Sequence, residues 1–302
     1  MPNWNQLFNE VKALGSPHDV LRRKYLAALH EETKRNIITY YSGWLQKPSF
    51  PGGAINDEDK NGFMTTVNGL DRSLGLDLIL HTPGGETAAT ESLVDYLRKM
   101  FKGDIRAVVP QVAMSGGTMI ACASRVILMG KQSSLGPVDP HFGGIPAHGV
   151  IEEFKKAYEE IKQDPAKIPV WQPIIAKYSP AFIGECQKAI TWSEQLVRDW
   201  LATGMLAGDE KKDEKINRIV GELGNHALTL SHARHLPADT CSAMGLKVEM
   251  LEEKQSLQDA VLSVHHAYML TLSQTPACKI IENHTGAAFI QSAQVQIVQT
   301  VK

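Results

Sequence analysis

Between Leu76 and Met129 the chain runs twice through one pattern: an apolar, β-prone run, a glycine-rich turn, and a helix-compatible stretch. Leu76 to His81 reads as a strand and Pro83-Gly84-Gly85 as a turn. Glu86 to Phe101 then reads as an amphipathic helix with Leu93, Val94, Leu97 and Phe101 on one side. Ile105 to Pro110 is the next strand, Ser115 to Ser124 a short helix of small residues, and Arg125 to Met129 a third strand. Strands alternating with helices at this spacing call for right-handed crossovers, so the segment predicts an α/β core with a mainly parallel sheet. Both turns follow strands and fall at the carboxyl edge, where such folds place their sites.

The flanks are less regular. Residues 18–35 carry Val20, Leu21, Tyr25, Leu26 and Leu29 at helical spacing, and Asn36 to Trp44 reads as a strand. Residues 45–63 hold Pro48, Pro51, Gly52, Gly53 and the acidic run Asp57-Glu58-Asp59, which predicts a loop. The acidic run is not a calcium loop, because the alternating ligands, central glycine and closing glutamate are out of register. Beyond Gly130 the pattern is loop-rich to Ala147 and then helical to about Ile190. The charged stretch 205–222 predicts a solvated helix start or a loop. Three parts follow: 1–70 leading into the core, 71–150 as the α/β core, and 151–302 as a mainly helical part.

Composition narrows the function classes. The 31 basic and 33 acidic residues leave a net charge of -2, without the basic footprint of a nucleic-acid binder. No segment approaches the ~20 apolar residues of a membrane helix, and the polar start, Met1 to Asn9, does not read as a secretory signal. Cys122, Cys186, Cys241 and Cys278 are scattered, with no CxxC spacing, and read as reduced thiols. These features predict a cytoplasmic protein with no membrane insertion. His232 and His235 could share a helical face, but no acidic or cysteine partner at diagnostic spacing makes them a metal site. There is no Walker loop, and Gly84-Gly85 is too short for a dinucleotide fingerprint, so no metal or organic cofactor is expected. Trp44, Trp171, Trp192 and Trp200 read as core or subunit contacts.

The chemistry lies in the two turns. Ser115, in Ala113-Met114-Ser115-Gly116-Gly117-Thr118, offers a hydroxyl, and the glycines offer backbone N–H groups. These are the parts of acyl transfer: a nucleophile for a carbonyl carbon, and two donors for the oxyanion, here Gly85 and Gly116. A serine ahead of two glycines is also what a helix N-cap looks like.

The two turns resemble those of the crotonase-like serine peptidases, the Clp protease and signal-peptide-peptidase-A group. A closer resemblance is to the serine dehydrogenase proteinase family. It is carried by Tyr41-Ser42-Gly43-Trp44, Leu78 to Glu86, Ala113 to Ala121, and Leu135-Gly136-Pro137-Val138-Asp139-Pro140. It continues through Lys177-Tyr178-Ser179-Pro180, His232-Ala233-Arg234-His235, Leu257-Gln258-Asp259 and Ile281-Glu282-Asn283-His284, over nearly the whole chain. Gly116 stands where an alanine is expected, a change that keeps the backbone amide.

The resemblance implies a crotonase-like, Clp-protease-like fold with a helical C-terminal part, a serine peptidase acting on polypeptides, and a homo-oligomer. It also implies Ser115 as nucleophile, with Gly85 and Gly116 in the oxyanion hole. At the offset where Clp-type enzymes carry their histidine the chain has Pro140, and His141 follows it. The signal-peptide-peptidase group resembles a Ser-Lys dyad with its lysine downstream. Lys177, after Trp171, Ile174 and Ile175, has the most apolar setting of Lys155, Lys156, Lys167 and Lys177, and is the expected base. His141 and Lys167 are the alternatives. An acyl-CoA enzyme of the same fold, or a non-catalytic scaffold, are the competing readings. The family label mentions a dehydrogenase, which, with no nicotinamide site in the sequence, reads as naming a substrate.

Overall fold

A computed structural model describes residues 3–14, 18–224 and 234–293 of the chain. It opens with α1 (Trp4–Leu14), α2 (His18–Thr33), β1 (Asn36–Ser42) and α3 (Asp59–Val67). The core follows as β2 (Leu76–His81), α4 (Thr87–Met100), β3 (Ile105–Val109), β4 (Val112–Ala113), α5 (Gly116–Cys122) and β5 (Val126–Met129). Three short strands, β6 (Ser134–Leu135), β7 (His141–Phe142) and β8 (Ile145–Pro146), lead into α6 (Ala147–Gln163), α7 (Ile168–Ile175), α8 (Phe182–Thr203) and α9 (Lys212–Gly224). The remainder is β9 (Leu236–Pro237), α10 (Ala238–Met244), β10 (Val248–Met250), α11 (Gln255–Gln274), β11 (Ala277–Asn283) and β12 (Ala288–Ser292).

The main sheet has the order β10-β5-β3-β2-β1-β11-β12. Strands β10, β5, β3, β2 and β1 are parallel, while β11 runs antiparallel to both β1 and β12. Helices cover both faces, so successive residues of one strand enter different cores. Leu76, Leu78 and Leu80 of β2 pack with α4, α5, α8 and α9, whereas Ile79 packs with Leu26 and Leu29 of α2 and with Val264 and Tyr268 of α11. The period of two therefore shows as two apolar faces and not as an apolar–polar alternation.

Two parts of the chain depart from the sequence expectation. The loop expected over 45–63 ends in α3, whose Phe63 and Val67 are buried one turn apart. Its apolar period is interrupted by Gly62, whose Cβ would crowd Ile281 Cδ1 on β11 at 2.6 Å. The charged stretch around 212 is a helix start, one of its two expected readings: it opens α9, which buries Ile216, Ile219, Val220 and Leu223 as one stripe. The C-terminal part carries the expected helices and, in addition, supplies β10, β11 and β12 to the main sheet. Strand β11 is buried at every position, yet three of its seven residues are Lys279, Glu282 and Asn283, so its hydropathy did not read as a strand. Among the described residues no helix is long and apolar enough to cross a membrane. All four cysteines are buried and none forms a disulfide.

Candidate active site

The first turn leaves β2 through Thr82, which bridges Ala113 at the head of the second turn. Thr82 donates its N–H to the Val112 carbonyl at 3.3 Å, and the Met114 N–H donates to the Thr82 carbonyl at 2.9 Å. This staple brings the two glycine turns face to face. Gly84 has φ +91°, and a Cβ on it would lie 2.6 Å from Ser115 Cβ and 2.8 Å from Gly116 N, so the approach needs glycine. On its other side the turn is bridged by Ile55: the Ile55 N–H donates to Gly84 O at 2.7 Å, and the Glu86 N–H donates to Ile55 O at 2.9 Å. The bridge takes the groups on either side of Gly85 and leaves the Gly85 N–H pointing away from Ile55. A Cβ on Gly116 would lie 3.3 Å from Gly85 N, which puts the two glycines side by side. Neither the Gly85 N–H nor the Gly116 N–H has an acceptor among the described residues.

Ser115 stands at φ +48° and ψ -111°, a conformation that costs a non-glycine residue about 1–3 kcal/mol. Its hydroxyl does not cap α5, although its carbonyl accepts from the Met119 N–H at 3.0 Å. The N-cap reading of this serine therefore does not describe its side chain. A strained strand-to-helix turn that exposes a hydroxyl is the geometry of a nucleophile elbow. The α5 N-terminus adds partial positive charge beside it.

Ser115 lines a cavity of ≈ 550 Å³ together with Pro83, Gly84, Gly85, Asp139 and His141. Met119, Val138, Phe142, Ala189 and Trp192 give it a mostly apolar wall. Trp192, expected in the core or at a subunit contact, is thus a half-exposed wall of this cavity. The segment that brings in His141 is anchored by Thr118, whose hydroxyl accepts from the Gly136 N–H at 3.0 Å, and by Val138, whose N–H donates to Leu223 O at 2.9 Å. His141 Nδ1 lies 2.8 Å from the Asp139 carbonyl oxygen. A carbonyl only accepts, so Nδ1 carries a proton, and in the neutral ring the basic nitrogen is Nε2. A second cavity of ≈ 650 Å³, lined by Trp44, Met114, Ser134 and His235, shares Pro83 and His141 with the first.

Residues 21–259 match the family described as ClpP-like SDH-type serine proteinase. The chain belongs to that family. Two uncharacterized proteins of Methanocaldococcus jannaschii are similar to it. One is 29% identical over 215 residues, spanning 70% of this chain and 68% of its own length. The other is 29% identical over 202 residues, with 66% and 65% covered. Among solved structures, a mutant of the 1510-N membrane-bound stomatin-specific protease overlaps 69% of this chain and 80% of its own, with 17% identity and a TM-score of 0.41.

Both glycine turns, Ser115 and His141 fall inside the family match. So do the candidate lysines, but none of them lines the cavity. Lys177 is exposed and does not line the Ser115 cavity. Trp171, Ile174, Ile175 and Tyr178 form the inward stripe of this segment, and Lys177, two positions after Ile175, turns to the other side. Apolar neighbours in sequence did not mean an apolar pocket in space. Lys167 is ion-paired to Glu160 at 3.4 Å, also outside the cavity. Lys155 and Lys156 are exposed, as their acidic surroundings predict. His235 pairs with Ser134 Oγ at 2.7 Å, while His232 lies outside the described residues.

Beneath the first turn, His81 and His265 are buried with ring centroids 5.5 Å apart. Burial, followed by His265, holds the His81 imidazole well below its ordinary range. Burial, followed by His266, lowers His265 to about 3. Both rings stay neutral in the fold and take up protons when it unfolds. The contribution of His265 to stability is complete above about pH 6.5 and is lost as pH falls towards 3, at about 1.4 kcal/mol per pH unit, and His81 adds a loss in the same direction. Denaturant titrations between pH 7.5 and pH 5 are expected to show this slope, and His265→Phe to reduce it by about 1.4 kcal/mol per pH unit. An unchanged slope in that variant would refute the assignment.

Proposed function

We propose that this chain hydrolyses peptide bonds in polypeptide substrates, with Ser115 as nucleophile, His141 as general base, and the Gly85 and Gly116 N–H groups as the oxyanion hole. The observation that carries the reading is the convergence, in one cavity, of a strained serine hydroxyl, a histidine and the Gly85 turn, with the Gly116 amide side by side with that of Gly85. Ser115 Oγ attacks the scissile carbonyl while His141 Nε2 takes its proton. The carbonyl oxygen, now an anion, takes hydrogen bonds from the two amides. His141 then returns the proton to the leaving amine, and a water deprotonated by the same imidazole releases the acyl-enzyme. Every step uses protein groups and water. Cytoplasmic location and self-association belong to the same reading. Tyr158 on α6 and Val170 on α7, 64% and 62% exposed, support the second.

Fluorophosphonate labelling followed by peptide mapping tests the assignment. A single adduct is expected on Ser115, slowed about 10²–10⁴-fold in His141→Gln, the range for loss of a general base. It is expected at the wild-type rate in Lys177→Ala. A slow Lys177→Ala beside a normal His141→Gln would return the base to the lysine. With no adduct on Ser115 at all, the acyl-CoA enzyme or the scaffold becomes the better reading.

A further inference from the structure

A buried charge cluster lies behind the first turn, outside the cavity. Lys279 on β11, Asp59 at the start of α3 and Tyr40 on β1 are each 0–1% exposed. Lys279 Nζ donates to Asp59 Oδ1 at 2.7 Å and to the Ala54 carbonyl at 2.8 Å. Tyr40 OH donates to Asp59 Oδ2 at 2.8 Å, and the Asn56 N–H donates to the same oxygen at 3.1 Å. Taking both charges out of water carries a large desolvation cost, and replacing a buried ion pair by apolar groups of the same volume is often neutral or stabilising. Stability alone therefore does not account for the cluster.

What it holds does. Its two backbone contacts, Ala54 O and Asn56 N–H, flank Ile55, and Ser42 Oγ donates to Gly53 O at 2.7 Å one residue earlier. Ile55 is the residue that bridges Gly84 and Glu86 on either side of Gly85. Its backbone is pressed so close that a Cβ on Gly85 would lie 2.2 Å from Ile55 N. The chain of contacts thus runs from a rigid ion pair, through a three-residue strap, to the amide of Gly85.

We propose that Lys279, Asp59 and Tyr40 are positioning residues that hold the 54–56 strap, and through it fix the direction of the Gly85 N–H towards the reacting carbonyl. The catalytic half of this assignment rests on the reading of Gly85 as an oxyanion donor. None of the three side chains touches substrate. The cluster is not legible in the sequence, because Asp59 reads as part of an acidic run in a loop and Lys279 falls in a segment not assigned as a strand.

The test compares wild type with Lys279→Met and with the triple variant Tyr40→Phe/Asp59→Leu/Lys279→Met. The single variant leaves Asp59 buried without its cation, and it will fold poorly. The triple variant removes the charges together and is expected to keep the wild-type Tm. Two readouts separate positioning from folding. Hydrogen exchange is expected to show lost protection at the Ile55 and Glu86 amides in the triple variant, with the sheet amides unchanged. For a fluorogenic N-blocked tripeptide ester, kcat is expected to fall about 10²-fold, the effect of a 1 Å misplacement, with KM within threefold of wild type. Retained protection at Ile55 and Glu86, or an unchanged kcat in the folded triple variant, would overturn the proposal. Absence of Ser115 labelling in the wild type would sink the peptidase reading and the catalytic half of this one, while the exchange result would still decide whether the cluster holds the strap.

Discussion

Ser115→Ala is expected to lower kcat/KM on peptide substrates by at least about 10⁴-fold and to abolish fluorophosphonate labelling, because it removes the hydroxyl at the strained turn. Stability should move by no more than about 0.5 kcal/mol, since the Ser115 side chain makes no capping bond and alanine keeps the Cβ. Ser115→Gly should be equally inactive but more stable than Ser115→Ala. At φ +48° glycine relieves about 1–3 kcal/mol of strain and gives back about 0.5–1 in chain entropy, for a net gain of about 1 kcal/mol. For a chain of this size that is a Tm difference of about 1–2 °C. If Ser115→Gly melts below Ser115→Ala, the strain is not there, and with it goes the elbow as the reason the hydroxyl faces the cavity.

The second large effect is at Gly85. A Cβ there would sit 2.2 Å from Ile55 N and 2.3 Å from Ile55 O, and both are backbone atoms that cannot rotate out of the way. Gly85→Ala must push the turn away from the 54–56 strap and break both Ile55 hydrogen bonds. Two net hydrogen bonds at about 1 kcal/mol each, with overpacking strain of about 1–3, give a loss of about 3–5 kcal/mol. The displaced amide no longer meets the oxyanion, so kcat in the surviving fold should fall about 10²–10³-fold. Gly53→Ala is the matched control. A Cβ there meets Ser42 Oγ at 3.5 Å, ordinary contact, and neither Tm nor kcat should change appreciably. A Gly85→Ala protein with wild-type kcat would exclude this amide from the reaction.

The core from β2 to β5 could be read directly because its signals are local. Each strand is a short apolar run, each turn contains the glycines its conformation needs, and α4 carries a clean amphipathic stripe. The same holds for the meeting of the two turns: parallel strands joined by helices bring consecutive carboxyl ends to one edge. Strand β11 and helix α3 failed the same reading. Their inward positions carry Lys279, Glu282, Asn283 and Asp59, side chains whose burial makes sense only beside partners far away in sequence.

The sequence by itself determined the α/β core, the two facing glycine turns, and Ser115 as the hydroxyl at their junction. These depend on periodicity, on φ-permissive residues and on the connection rules of parallel sheets, all of which are written in neighbouring residues. Tertiary structure alone decided that Lys177 faces solvent, that His141 and Trp192 line the Ser115 cavity, and that an ion pair on β11 and α3 braces the strap behind Gly85. Burial, tautomer and hydrogen-bond partner are properties of what surrounds a side chain, and those surroundings are assembled from segments as far apart as Asp59 and Lys279.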